Sequence, residues 1–173
     1  MNGWKTAVIA AAITAGAAWT NAGLAAEPAG RMPEMRGDGM TMEKEISIFP
    51  LGDKNDGYAQ YFTGQSYLHM LNREGVAVAN VTFEPGCRNH WHVHHKGGQI
   101  LLATAGRGWY QAWGEPAREL RPGDVVYVAP EVKHWHGAAK DSWFAHVAIE
   151  IPAEGASNEW QEEVTDEEYG RLP

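Results

Sequence analysis

The sequence predicts an all-β fold, and three observations carry that prediction. Apolar residues recur mainly with period two in short runs, Gly and Pro punctuate those runs, and no helical period appears before the C-terminal tail. The runs cover residues 46–49, 67–71, 76–83, 99–104, 108–113, 124–128 and 143–151. Between them stand Glu84-Pro85-Gly86, Gly97-Gly98, Ala105-Gly106, Gly114-Glu115-Pro116 and Arg121-Pro122-Gly123, where Gly supplies positive φ and Pro a fixed one. Strands of this length and spacing build a sandwich or a barrel. The tail differs: Thr165 with Glu168 makes a capping-box signature, so a short C-terminal helix is expected there, its acidic neighbours forming a solvated face.

A chain of 173 residues that is 44% apolar and 10% aromatic suffices for one domain with a real core. The net charge of -8, with 22 acidic against 14 basic residues and no basic stripe, argues against nucleic acid as a partner. The N-terminus reads as an export address: Lys5, an apolar and small-residue run over 6–18 too short to span a bilayer comfortably, and the small-x-small signal Gly23-Leu24-Ala25. Cleavage near Ala25 is expected, leaving a periplasmic or secreted protein without stable membrane insertion. Residues 26–44, rich in Gly, Pro, Met and charge, are expected to form a flexible leader, and 45–173 a single domain. Cys87 is the only cysteine, so no intramolecular disulfide is possible, and it reads as a buried structural thiol.

Seven of the eight histidines lie between positions 90 and 146. In His90-Trp91-His92-Val93-His94, strand alternation sends 90, 92 and 94 to one face and Trp91 and Val93 to the other. His134 and His136 repeat the spacing, and His146, Ala148 and Glu150 share a face of the last long run. Imidazoles gathered without an ion must stay neutral or repel, so a shared divalent cation is the economical reading. His69, alone on an otherwise apolar strand, reads as a core or pocket residue, and His95 and His136 as exposed or supporting positions; none of the three is counted as a ligand.

These residues match a family pattern. Gly86, five residues, His92-Val93-His94, four residues, Gln99, six residues and Gly106 have the spacing of the first cupin motif, with Gln where Glu is usual. Gly123-Asp124-Val125-Val126-Tyr127, Pro130 and His134 resemble the second motif, with Ala129, Glu131 and Ala138 where the general pattern has Pro, Gly and Asn. The resemblance implies a cupin-type barrel, that is, a double-stranded β-helix or jelly roll. It sharpens over 61–169. There Val81-Thr82-Phe83-Glu84-Pro85-Gly86, Lys133-His134-Trp135-His136-Gly137-Ala138-Ala139 and Val164-Thr165-Asp166-Glu167 are similar to small bacterial cupins related to manganese-dependent hydroxynitrile lyases, and to cupins associated with carboxymuconolactone decarboxylases.

Carried over residue by residue, the resemblance places a metal on His92, His94, Gln99 and His134 and a catalytic histidine at His146. This chain has one more residue between His94 and Gln99 than the lyases, with His95 where they tend to have Pro. His90, facing inward by alternation, is either a second acid or base or a hydrogen-bond partner of a ligand. Trp91 and Trp135, beside ligands, read as packing residues. Manganese is the ion the resemblance implies, and iron and zinc suit the same donors.

Three imidazoles and an amide are neutral, so the ion would keep its full double charge, with two octahedral positions left for water or a substrate oxygen. The resemblance then implies a lyase acting on a small hydroxylated substrate, the metal serving as Lewis acid and His146 as general base. Two other readings use the same residues: an iron-dependent oxygenase or decarboxylase of small phenolic or organic acids, and a non-catalytic periplasmic ligand-binding protein. A homodimer or higher homo-oligomer is expected by resemblance.

Overall fold

The computed structural model describes residues 46–173, so the export segment 1–25 and the leader 26–44 lie outside the described residues. The period-two runs form two antiparallel sheets. One sheet joins β1 (Asp53–Lys54), β3 (Ser66–Asn72), β4 (Val78–Phe83), β12 (Phe144–Ile151), β7 (Gly98–Gly106) and β10 (Val125–Val128), in that spatial order. The other runs β13 (Ser157–Trp160), β6 (His92–His95), β11 (His134–Ala138), β5 (Arg88–Asn89) and β2 (Phe62–Thr63), with β8 (Gly108–Ala112) beside β11 and β9 (Arg118–Leu120) beside β8. This is the all-β jelly roll with a short C-terminal helix, α1 (Asp166–Gly170), that the sequence predicts.

Inward-facing residues of both sheets meet in one core around Phe83, Leu101, Leu120, Val126, Val128 and Phe144. Gly106 of the first motif closes the turn after β7. It holds φ at +70°, and a Cβ there would stand 1.8 Å from the Trp143 carbonyl oxygen, so only Gly fits. Cys87 is buried within the core, its thiol pushed up to about 12 by burial above all, which leaves it an inert packing group.

Two details of the strand reading are corrected. Residues 46–49 form bends rather than a strand: the segment joins no strand among the described residues, Ile48 is 86% exposed, and Ser47 Oγ meets Thr104 Oγ1 at 3.2 Å. β4 begins at Val78 rather than at 76. A turn held by Val76 N–H on the Glu74 carbonyl, and by Asn72 Nδ2 on the carbonyls of Glu74 and Val76, occupies the preceding residues. The 3-10 helix Asp56–Tyr61 and the strands β1, β2, β5, β9 and β13 were not legible, because each is too short for a periodic signal or too exposed for a hydrophobic one.

Trp91, Trp109 and Trp135 form a second cluster with Val164 and Tyr169 of the tail. The tail docks through the capping box, in which Glu168 N–H donates to Thr165 Oγ1 and Thr165 N–H to Glu168 Oε2. Arg88 secures it: Nε donates to the Val164 carbonyl at 3.0 Å, Nη2 meets Asp166 at 2.6 Å, and the guanidinium lies 4.5 Å from the Tyr169 ring centroid. Asp166 is 93% exposed, so water screens that pair, whereas the Val164 bond is buried. Arg88→Ala is therefore expected to cost roughly 2–3 kcal/mol by urea unfolding, and Asp166→Asn less than about 1. Equal losses in the two variants would show that the ion pair dominates.

Candidate metal centre

β6 and β11 pair antiparallel with His134 opposite His92, and strand alternation adds His94 on the same face. The ring centroids of His92 and His134 are 4.1 Å apart, those of His92 and His94 5.2 Å, and those of His94 and His134 5.3 Å. One ligand nitrogen from each of the three lies within 4.8 Å of the others, close enough to hold one metal ion. All three rings are buried. His92 Nδ1 lies 3.0 Å from the His90 carbonyl and His134 Nδ1 3.0 Å from the Val132 carbonyl. Those carbonyls can only accept, so both rings carry their proton on Nδ1 and keep the Nε2 lone pair free.

Gln99 enters from β7. Its Nε2 donates to Glu150 Oε1 at 2.6 Å, while its buried Oε1 has no hydrogen-bond partner among the described residues. Among the described residues, neither ring nitrogen of buried His94 makes a hydrogen bond, nor does His134 Nε2, although Glu150 Oε2 lies close to His94 Nδ1. Orphaned acceptors of this kind are costly unless something binds them, and two imidazole nitrogens with an amide oxygen are donors that suit a divalent cation. The residues present therefore fit a metal. Burial is the main cause that lowers the pKa of His134 to about 4 and holds His92 well below its usual range, with their mutual repulsion adding to it for His92. Both are neutral at pH 7, the form that ligates.

His92, His94 and Gln99 line part of a cavity of about 240 Å³ between the sheets, and His134 completes the histidine group beside it. Leu68, Met70, Ala79, Val81 and Ala148 give it an apolar wall, and Tyr58, Phe62 and Trp160 an aromatic one. His146 also lines it, fully buried, with neither ring nitrogen hydrogen-bonded. Its ring lies 4.7 Å from His136 and 5.6 Å from Phe83, centroid to centroid, and burial lowers its pKa to about 4.

The remaining histidines divide differently from the sequence reading. His90 does not line the cavity: the strand breaks at residues 90–91, so the alternation that would turn it inward stops, and Asn89 faces the cavity instead. His90 contributes its backbone carbonyl to His92. His136, read as exposed or supporting, is 4% exposed and lines the cavity, its backbone N–H bonded to Asn89 Oδ1 at 2.9 Å and its ring Nε2 to Asn89 Nδ2 at 3.0 Å. His69 stands between Leu68 and Met70, which face the cavity, and so points to the opposite face of β3. His95 bridges Glu131 and Glu159 outside the cavity, and the insert before Gln99 turns through Lys96 at φ 63°. Sequence reasoning put Glu150 on the face of His146 but gave it no role; it lies directly opposite Gln99 in the β7–β12 register, with Oε2 3.0 Å from His94 Nδ1. Burial pushes its carboxyl up, but contacts with His94 and Gln99 outweigh that and hold it below the usual range, so it is ionised. The donor set is neutral, yet a negative charge stands directly behind it.

Depressed imidazole pKa values carry a pH dependence. An unfolded histidine titrates near 6.5, so between about 6.5 and about 4 the unfolded chain binds more protons than His134 and His146 do when folded. Metal-free protein is expected to lose stability as pH falls through that window, by about 3 kcal/mol for one such imidazole over the full shift. Urea midpoints at pH 7 and pH 4.5 measure this; identical midpoints would mean that the rings gain their protons without unfolding.

Two facing antiparallel sheets with an inward histidine cluster on paired strands define a cupin, and the Cupin domain model matches residues 79–149. The chain belongs to the cupin family. It is 46% identical over 119 residues to the (R)-mandelonitrile lyase of Granulicella tundricola, covering 66% of this chain and 90% of that protein. Among solved structures it is similar to a cupin-like protein from Thermotoga maritima, with TM-score 0.66 and 46% identity over 70% of this chain and 93% of that one. The DMSP lyase DddQ from Ruegeria pomeroyi shares the fold at TM-score 0.50 and 18% identity, covering 69% of this chain and 59% of that one.

Proposed function

We propose that this chain is a metal-dependent lyase that cleaves small α-hydroxynitriles to an aldehyde and hydrogen cyanide. The observation that carries the reading is one small cavity lined by His92, His94, Gln99 and a neutral His146 with no hydrogen-bond partner among the described residues, with His134 completing the histidine group. The likeness to a mandelonitrile lyase over nine-tenths of that protein supports it. His92, His94, Gln99 and His134 would hold a divalent ion, manganese foremost, which when bound supplies Lewis acidity toward a substrate oxygen.

The chain's own residues supply the rest. The apolar and aromatic walls bind the substrate side chain and suit an aryl group, and the small volume limits its size. An unprotonated ring nitrogen of His146 accepts the substrate hydroxyl proton. The bond between the carbinol and nitrile carbons then breaks, its electron pair leaving with cyanide while the hydroxyl oxygen becomes the aldehyde carbonyl. His146 is a weak base, held so by burial, and therefore releases the proton readily to the strongly basic cyanide, regenerating itself.

The test is release of benzaldehyde from mandelonitrile, followed by ultraviolet absorbance, with manganese-loaded and metal-free protein. Acceleration that requires the metal is expected; equal rates in both preparations would overturn the reading. The address in residues 1–25 supports a periplasmic or secreted location, and the family resemblance a homodimer or higher homo-oligomer. N-terminal sequencing of the mature protein and light scattering test those two assignments.

A further inference from the structure

The donor at position 99 is an amide in a motif that usually carries a carboxylate, and the structure gives a local reason. Gln99 and Glu150 are cross-strand partners, and Gln99 Nε2 donates to Glu150 Oε1 at 2.6 Å. The amide's two ends are thereby assigned, since the reverse orientation would press its oxygen against a carboxylate oxygen. Oε1 is left buried and unpartnered on the side of the cavity. The other carboxylate oxygen of Glu150 lies 3.0 Å from Nδ1 of His94, so one side chain touches two of the four donors. A second cavity of about 310 Å³ also reaches Glu150 and His94, so the carboxylate keeps access to water and can carry its charge there.

We propose that Glu150 is a positioning residue of the metal centre: it aims the Gln99 amide oxygen at the ion, steadies His94, and dictates an amide rather than a carboxylate at position 99. The inference rests on the metal-centre part of the reading above and not on the lyase activity. Gln99→Glu would set two carboxylate oxygens 2.6 Å apart, replacing a hydrogen bond by like-charge repulsion. Glu150→Gln would keep one oxygen for Gln99 Nε2 but put an amide NH2 in place of the carboxylate oxygen 3.0 Å from His94 Nδ1, and so lose one of the contacts. Making both changes restores the count. The amide now at position 150 would donate its N–H to the carboxylate now at position 99, and its oxygen would take the place of the carboxylate oxygen beside His94 Nδ1. The free oxygen of that carboxylate would take the place of the amide oxygen at the ion.

The experiment is manganese binding to the protein and three variants, with free Mn²⁺ read by electron paramagnetic resonance and folding checked by circular dichroism. Glu150→Gln and Gln99→Glu are each expected to weaken binding roughly 10- to 100-fold, and the double variant to regain most of that loss. A Glu150→Gln variant that binds as the parent does, or a double variant no tighter than the weaker single one, overturns the inference while leaving the metal centre standing. Failure of the parent itself to bind Mn²⁺ overturns both. Neither outcome depends on turnover.

Discussion

Replacing His134 by alanine is expected to abolish metal binding, and with it all turnover, while leaving the fold in place. His134 pairs with His92 across β6 and β11, and its Nε2 is one of the unpartnered buried acceptors. Without it the donor set loses the member contributed by β11, and the remaining ligands all come from β6 and β7. The fold is expected to survive because the metal-free imidazole already burdens it: a buried ring nitrogen with nothing bound is a cost that alanine removes, partly offsetting the lost packing. Metal analysis after dialysis should fall from about one ion per chain to near zero. Manganese should raise the melting temperature of the parent and leave that of the variant unchanged, since a ligand stabilises only what it binds. Full metal content in His134→Ala would move the centre elsewhere.

The second large effect is expected at His146. Truncation to alanine should lower kcat about 100- to 10,000-fold, the usual worth of a positioned general base, equivalent to roughly 2.7–5.5 kcal/mol of barrier. Metal content should remain at the parental level, because His146 stands outside the His92, His94 and His134 group. That separation of turnover from metal content distinguishes a base from a ligand. His90→Ala serves as the contrast: its side chain does not line the cavity and its carbonyl survives the substitution, so turnover should change little. A large loss at His90 with parental activity at His146 would reverse the two roles.

What the sequence made legible was what lies close together along the chain. The histidines at 92 and 94 declare a face by alternation alone, the capping box is four residues long, and Gly106 marks a turn by its type. Illegible was whatever depended on pairing between distant strands. Glu150 supports Gln99 only because β12 and β7 align with those two residues opposite, and nothing in the 50 intervening residues announces that register. His90 failed for the opposite reason: alternation was extended through residues where the chain leaves one strand and enters another. His136 shares the spacing of the ligand pair, but its burial depends on Asn89 reaching it from β5, a strand of two residues.

The tryptophan cluster behind the metal centre has an engineering consequence. Trp91 and Trp135 are the immediate neighbours of His92 and His134, Trp91 just before β6 and Trp135 within β11, and the tail packs on them through Val164 and Tyr169. The two histidine backbones are thus clamped from behind by the last ten residues of the chain, none of which reaches the cavity. A truncation of the tail, or a tag or fusion after residue 173, is therefore expected to be felt at the histidine cluster, and the tail offers a handle for tuning the site without altering any residue in it.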